Sequence, residues 1–214
     1  MQRNNPVRGR LLTAIRLLSP LMLALLLCGS CGQAVGAVGP VTDKPRVQID
    51  TALGSLTVEL DAVAAPVTTA NFLRYVLEGF YSDGEFFRTV TSANQPEDKI
   101  KIAVIQAGAN PAMEDAGFEP ILLERTRDTG IQHIDGAISM ARSGPDTATH
   151  SFFICVGDQP ELDFGGKRNP DGQGFAAFGR VVEGMELVRE IHAMPADGQR
   201  LDPPFRIQRA IRVH

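Results

Sequence analysis

The feature that most restricts the fold of this sequence is a series of short segments with the pattern of β-strands, separated by glycine and proline. In residues 47–50 and 56–60, apolar and polar side chains alternate on either side of a Gly-Ser turn, which predicts a hairpin with one buried face. Six further segments predict strands, at residues 86–90, 101–106, 137–141, 152–156, 176–182 and 207–213.

Only two segments have the pattern of a helix. Residues 66–79 carry apolar side chains at steps of three and four, with Pro66 in the entry turn and Gly79 at the exit. Residues 184–193 form the second candidate. Many short strands with only two helices favour a mostly β domain, a closed or nearly closed barrel, over a sheet built from βαβ units.

The residues before the first strand have the composition of an export signal. Four arginines precede an apolar run over residues 17–28, and small residues follow up to Ala37. The apolar run is shorter than the roughly 20 residues that a membrane-spanning helix needs. We therefore predict a secretory signal peptide over residues 1–37, a linker over residues 38–45, and an exported, periplasmic domain over residues 46–214.

Two kinds of cleavage fit this signal. Plain cleavage would follow Ala34 or Ala37, each of which ends a stretch of small residues. The alternative is a lipoprotein signal, because residues 27–31 resemble a bacterial lipobox, in which Cys31 is acylated and becomes the mature N-terminus. Cys28 occupies the position where that motif usually has leucine. The sequence leaves both a free periplasmic protein and a membrane-anchored lipoprotein open, with the lipid as the only membrane contact.

Composition argues against several classes of function. The chain has 21 basic and 25 acidic residues, and without the four arginines of the signal it has 17 basic residues and a net charge of −8. Such an acidic domain lacks the electrostatic surface that a nucleic-acid partner requires. The four histidines lack metal-ligand spacing and are expected at the surface or partly packed. Cys155 lies in an apolar segment typical of a buried thiol.

Four parts of the sequence carry the strongest functional signal through their content and order. They are Phe86-Phe87-Arg88, residues 105–108, residues 139–154 with Ser139-Met140-Ala141-Arg142 and Ser151-Phe152-Phe153-Ile154, and residues 178–185. Together they resemble the cyclophilin family of peptidyl-prolyl cis-trans isomerases, in its bacterial exported form, over about residues 46–214. The resemblance implies a closed eight-stranded antiparallel β-barrel capped by two α-helices, in agreement with the strand and helix patterns.

The resemblance also implies a site. Arg88 matches the catalytic arginine of the family, Phe153 the floor of the proline pocket and Leu162 its wall. Ala141 and Arg142 match the backbone groove that holds the peptide. The full set of implied substrate-binding residues is Phe87, Val104, Gln106, Ala141, Arg142, Ser151, Phe153, Leu162 and Phe175.

Three positions depart from the family pattern. Ser151 stands where glutamine is usual, Glu161 where the family has tryptophan or phenylalanine, and Phe175 where it has histidine or tyrosine. The loop over residues 91–101 is longer than in the compact members. In the family, an indole at the position of Glu161 donates a hydrogen bond to cyclosporin-type inhibitors, so weaker inhibitor binding is expected here.

The implied activity is isomerisation of X-Pro peptide bonds, with proline-containing polypeptides as partners. Such an isomerase requires no nucleophile, metal or cofactor, because a cation that donates to the twisted proline nitrogen lowers the barrier of about 18–20 kcal/mol. A second hypothesis keeps the fold but uses the groove only to bind proline-containing segments, as a chaperone or scaffold. Arg88, Gln106 and Phe153 favour the first hypothesis, and the three departures motivate the second. We expect a monomer.

Overall fold

The structure, a computed structural model, describes residues 44–213. Two short 3-10 turns, Pro111–Ala116 and Pro160–Leu162, accompany the helices and strands of this range. The helices are α1 (Pro66–Leu77), α2 (Thr126–Thr129) and α3 (Met185–His192). The strands are β1 (Arg46–Thr51), β2 (Gly54–Leu60), β3 (Glu85–Val90), β4 (Val104–Gly108), β5 (Ala137–Met140), β6 (Phe152–Cys155), β7 (Ala176–Glu183), β8 (Ala196–Asp197) and β9 (Arg200–Val213).

Eight of these strands form a closed antiparallel barrel. Their order is β1-β2-β7-β5-β6-β4-β3-β9, and β9 pairs back onto β1 to close the ring. The short strand β8 lies outside the ring and pairs only with the first residues of β9. The predicted mostly β, eight-stranded closed barrel is confirmed.

The prediction of two helices is wrong, because residues 44–213 contain three. The additional helix, α2, has four residues and ends at Gly130, which adopts the left-handed conformation with φ 73°. A helix of one turn is too short to show a repeating apolar pattern, and this explains why sequence periodicity missed it. The helices α1 and α3 lie within the two predicted segments.

Two strands begin three or more residues away from the predicted start. Strand β9 starts at Arg200 rather than at residue 207, because Pro203 and Pro204 hide the alternation of its first half. Strand β4 starts at Val104 rather than at residue 101. Ile102 instead forms two hydrogen bonds with the buried side chain of Gln95. Oε1 of Gln95 accepts from the N–H of Ile102, and Nε2 of Gln95 donates to the carbonyl oxygen of Ile102.

The main core is rich in aromatic rings, and α1 contributes the central one. Phe72 is fully buried, and its ring centroid lies 5.3 Å from Tyr81, 5.4 Å from Phe152 and 5.3 Å from Phe178. Burial of each such side chain contributes about 1.5–3 kcal/mol to folding. The helix therefore packs onto the barrel through its apolar stripe.

Alternation along the strands separates this core from a second apolar cluster. On β4, Ile105 belongs to the main core and Val104 to the second cluster. On β6, Phe152 and Phe153 divide in the same way, because successive side chains of a strand point to opposite faces. The second cluster is thus on the face where Phe153 points.

Within residues 44–213, no helix is both long and apolar enough to cross a membrane. Cys155 is a buried thiol, as predicted, and burial raises its pKa well above the ordinary value. The predicted signal peptide, the lipobox with Cys31 and most of the linker lie outside the described residues.

Candidate functional site

A pocket of about 250 Å³ opens over the second apolar cluster. Its apolar part consists of Ile102, Val104, Ala141, Phe153, Leu162 and Phe175, and its polar part of Arg88, Gln106, Arg142, Arg168 and Asn169. Strands β3, β4 and β6 supply Arg88, Gln106 and Phe153 side by side. Seven of the nine substrate-binding residues implied by the sequence therefore lie together with Arg88.

The floor of the pocket is the ring of Phe153, which is 5% exposed. His133 stacks under it with ring centroids 5.8 Å apart and an angle of 13°, and Phe175 meets it edge-on at 5.3 Å. Three contacts therefore determine where the floor lies: the strand backbone, a stacked ring and an edge-on ring.

His133 is buried, contrary to the expectation of a surface or partly packed histidine. Its Nδ1 lies 2.7 Å from Asp163 Oδ1, and its Nε2 lies 2.9 Å from Ser139 Oγ. Both partners lie far from it in sequence or on another element, so no local pattern could indicate the burial. The ring is held from both sides and supports Phe153.

Arg88 lies at the edge of the pocket with its guanidinium held by two glutamines. Nη1 donates to Gln106 Oε1 at 2.9 Å, while Nε and Nη2 donate to Gln199 Oε1 at 3.0 and 2.5 Å. Burial lowers the pKa of Arg88, and the charge of Arg168 lowers it further. Arginine stays protonated in proteins in spite of such shifts. The pocket therefore presents a fixed cation beside an apolar floor.

Arg142 has a buried side chain with a structural role. Its Nη1 and Nη2 donate to the two carboxylate oxygens of Asp171 at 2.8 and 3.0 Å, and its Nε donates to the carbonyl oxygen of Gly174 at 2.8 Å. The hydrogen bonds from Arg142 lower the pKa of Asp171. These hydrogen bonds tie the segment between Leu162 and Phe175 to the wall of the pocket. Because the side chain of Arg142 is occupied in this way, only its backbone is available to contact a peptide.

Phe87 and Ser151 are not in this pocket. They line a second depression of about 510 Å³, together with His150 and Arg200 among others. Arg88 borders both depressions. Phe87 and Ser151 therefore line a different depression, which shares Arg88 with the pocket.

The sequence matches a known protein family over nearly all of the described residues. The model of the family "Cyclophilin type peptidyl-prolyl cis-trans isomerase/CLD" matches residues 46–212. The chain belongs to this family. It is a cyclophilin-type peptidyl-prolyl isomerase, and bacterial proteins of that name are among its relatives.

Three bacterial relatives illustrate the similarity. Peptidyl-prolyl cis-trans isomerase A of Dickeya dadantii is 34% identical over 151 residues, which are 70% of this chain and 72% of the relative. The isomerase cyp18 of Streptomyces antibioticus is 35% identical over 157 residues, 72% of this chain and 87% of the relative. Peptidyl-prolyl cis-trans isomerase B of Escherichia coli is 33% identical over 156 residues, 71% and 87% of the two chains.

A solved structure supports the fold. The crystal structure of a cyclophilin-type isomerase of Cryptosporidium parvum matches with a TM-score of 0.64 and 22% identity, and covers 80% of this chain and 98% of that one. The barrel of this protein is therefore that of the cyclophilins.

Glu161 lies in the 3-10 turn Pro160–Leu162, directly before Leu162 of the pocket wall. Its Oε2 accepts a hydrogen bond of 2.8 Å from the backbone N–H of Lys167. The turn buries the next side chain, Leu162, in the pocket wall. The carboxylate thus has a defined place beside the wall.

Sequence reasoning missed Gln199, as it missed Ile102, Arg168 and Asn169 of the pocket lining. Gln199 lies in the turn between β8 and β9, 111 residues after Arg88, and its side chain N–H also donates to the carbonyl oxygen of Asn94 at 3.3 Å. No pattern in the sequence marks it, because only barrel closure brings the end of the chain to β3.

We predict that Gln199→Ala lowers kcat/KM for X-Pro isomerisation about tenfold, because it removes the oxygen that orients two of the Arg88 nitrogens. The effect should fall mainly on kcat, since the apolar floor is unchanged. Isomerisation of a short peptide, measured by NMR exchange, checks this. Gln208→Ala on the exposed face of β9 is the matched control. Equal rates for both variants would rule out the positioning role.

Proposed function

We propose that this cyclophilin accelerates X-Pro isomerisation in proteins that fold outside the cytoplasm, with Arg88 stabilising the twisted prolyl amide. The observation that carries the mechanism is the guanidinium of Arg88, held by Gln106 and Gln199 beside the apolar floor at Phe153. Arg88, the two glutamines and Phe153 each contribute to this mechanism.

The reaction is slow without catalysis because resonance gives the peptide C–N bond partial double-bond character, with a barrier of about 18–20 kcal/mol. As the bond twists, the proline nitrogen becomes pyramidal and gains a lone pair. A cation that donates to this lone pair stabilises the twisted state more than either planar state, which is the requirement for catalysis. An arginine has five N–H donors. The two glutamines accept from three nitrogens of Arg88 and leave N–H groups of Nη1 and Nη2 for the substrate.

The apolar part of the pocket holds the proline ring. Phe153, Val104 and Leu162 are 5%, 2% and 1% exposed, so the ring would bury its surface against side chains that are already fixed. Exclusion of water strengthens the hydrogen bond from Arg88. One structure of the Cryptosporidium parvum cyclophilin was determined in the presence of the dipeptide Ala-Pro. This agrees with proline-containing polypeptides as the substrates proposed here.

A chaperone or scaffold without turnover is the second candidate, and Ser151, Glu161 and Phe175 are the residues that favour it. Phe175 lines the pocket, Glu161 lies in the turn beside Leu162, and Ser151 lines the second depression. Exchange spectroscopy on a short X-Pro peptide separates the two functions, since a scaffold would bind the peptide without accelerating exchange. Acceleration by the wild-type domain is the result we expect.

The proposed location outside the cytoplasm rests on residues 1–37, with their four arginines and short apolar run. Plain cleavage would release a periplasmic protein, and use of the lipobox would leave it anchored through Cys31. The domain is proposed to act as a monomer in either case.

We predict that the mature protein in its native host lacks the first 30 residues or more. Plain cleavage would give a chain that starts after Ala34 or Ala37, and lipobox cleavage a chain that starts at an acylated Cys31. Intact-mass spectrometry of the protein from that host distinguishes these products. An unmodified chain that retains Arg16 would contradict export.

A further inference from the structure

The wall of the proline pocket has an excess of positive charge. Among the described residues that line it, Arg88, Arg142 and Arg168 are cationic, and no carboxylate is present. The mechanism uses Arg88, and Arg142 is neutralised by the two-oxygen contact with Asp171. Arg168 takes part neither in the proposed mechanism nor in the contact with Asp171.

Arg168 is fixed by the loop over residues 91–101. Its Nη1 donates to the carbonyl oxygen of Ile100 at 2.6 Å and forms an ion pair of 3.1 Å with Asp98. The side chain of Arg168 is only 14% exposed, whereas that of Asp98 is 43% exposed. Arg168 therefore lines the pocket with a mostly buried side chain, and its counter-charge is more exposed to solvent, where water weakens the ion pair.

The loop itself is held in place at two points. The buried Gln95 side chain bonds the backbone of Thr91 and Ile102, and so closes the loop on itself. Asn94 donates to the carbonyl oxygens of Thr89 and Gly198, which joins the loop to the turn that carries Gln199. A cation held by a loop of this kind is preorganised, and little entropy is lost when it meets a charge.

The field of Arg168 extends across the pocket, since its charge lowers the pKa of Arg88. A substrate whose proline ring lies on Phe153 would place the residues on either side of the proline along this wall. An acidic side chain there gains attraction, and a basic one is repelled by two cations.

We propose that Arg168 is a specificity residue that makes this cyclophilin favour substrates with aspartate or glutamate next to the proline. The inference rests on the proposed isomerase function and names the substrate class of that site. In this role Arg168 also gives a function to the loop over residues 91–101, which supplies both of its side-chain contacts.

The test compares Ala-X-Pro-Phe and Ala-Ala-Pro-X peptides in which X is Glu, Ala or Lys. For the wild type we expect kcat/KM for Glu to exceed that for Lys about tenfold in at least one position, each relative to Ala. The same ratio should fall to about twofold in Arg168→Gln and rise in Asp98→Asn, and Arg168→Lys should keep most of it. Arg212→Gln, which removes an equal charge from β9 outside the pocket, is the matched control and should keep the wild-type ratio.

The outcomes separate the two proposals. Turnover of the Ala peptides with equal Glu and Lys ratios in wild type and Arg168→Gln would overturn the specificity role and leave the isomerase intact. If no peptide is isomerised faster, the proposed isomerase function is refuted. The role of Arg168 is then tested by the Kd values for the Glu and Lys peptides, measured by NMR titration. Circular dichroism shows whether Arg168→Gln is folded, and if it is not, the Arg168→Lys and Asp98→Asn ratios decide.

Discussion

Arg88→Ala is expected to lower kcat/KM for X-Pro isomerisation about 100-fold or more, because it removes the donor directed at the twisted nitrogen. The loss should exceed that of any other single substitution in the pocket. In the proposed mechanism, Gln106 and Gln199 orient the guanidinium, Phe153 orients the proline, and Arg88 supplies the donor to the twisted nitrogen. NMR exchange spectroscopy on a short X-Pro peptide measures the rate directly.

The fold should tolerate this substitution. Arg88 is half-buried, and its hydrogen-bond partners are neutral amides, so truncation leaves no charged group unpaired. The expected loss of unfolding free energy is about 1–2 kcal/mol, measured by denaturant titration. Arg88→Lys provides a second variant: it keeps the charge but loses the planar fork, and should retain part of the activity. Equal rates for wild type and Arg88→Ala would refute the proposed role.

Cyclosporin-type inhibitors should bind this cyclophilin two or more orders of magnitude more weakly than typical eukaryotic members. The sequence contains no tryptophan, and the resemblance to the family matches Glu161 to the indole that donates to the drug. A carboxylate only accepts hydrogen bonds, and an unpaired polar group on the drug costs about 1–3 kcal/mol. The loss of the aromatic contact adds to this. The carboxylate of Glu161 is also occupied by the hydrogen bond from Lys167 N–H.

Calorimetric titration of the wild-type domain and of Glu161→Trp checks this prediction. The tryptophan variant should regain most of the missing affinity. It should change peptide turnover little, because the proline ring lies deeper, against Phe153. Low-nanomolar binding by the wild type would show that Glu161 does not match the position of the indole or that another side chain replaces the indole.

Features of this protein that depend on neighbouring residues could be predicted from the sequence. Strands β1 and β2 follow from alternation, because a strand with one buried face repeats every two residues. The same period places Phe152 in the core and Phe153 in the pocket. The quoted motifs identified Arg88 and Gln106, and the structure places them in register on adjacent strands.

Contacts that barrel closure creates could not be predicted in this way. Gln199 meets Arg88 because β9 pairs with β3, and Arg168 lines the pocket because the loop over residues 91–101 bonds it. His133 is buried because Asp163 and Ser139 satisfy both of its ring nitrogens. In each case the partners are polar and lie on other elements. The periodicity of apolar residues predicts which face of a segment is buried, but it does not predict which polar groups a closed barrel brings together.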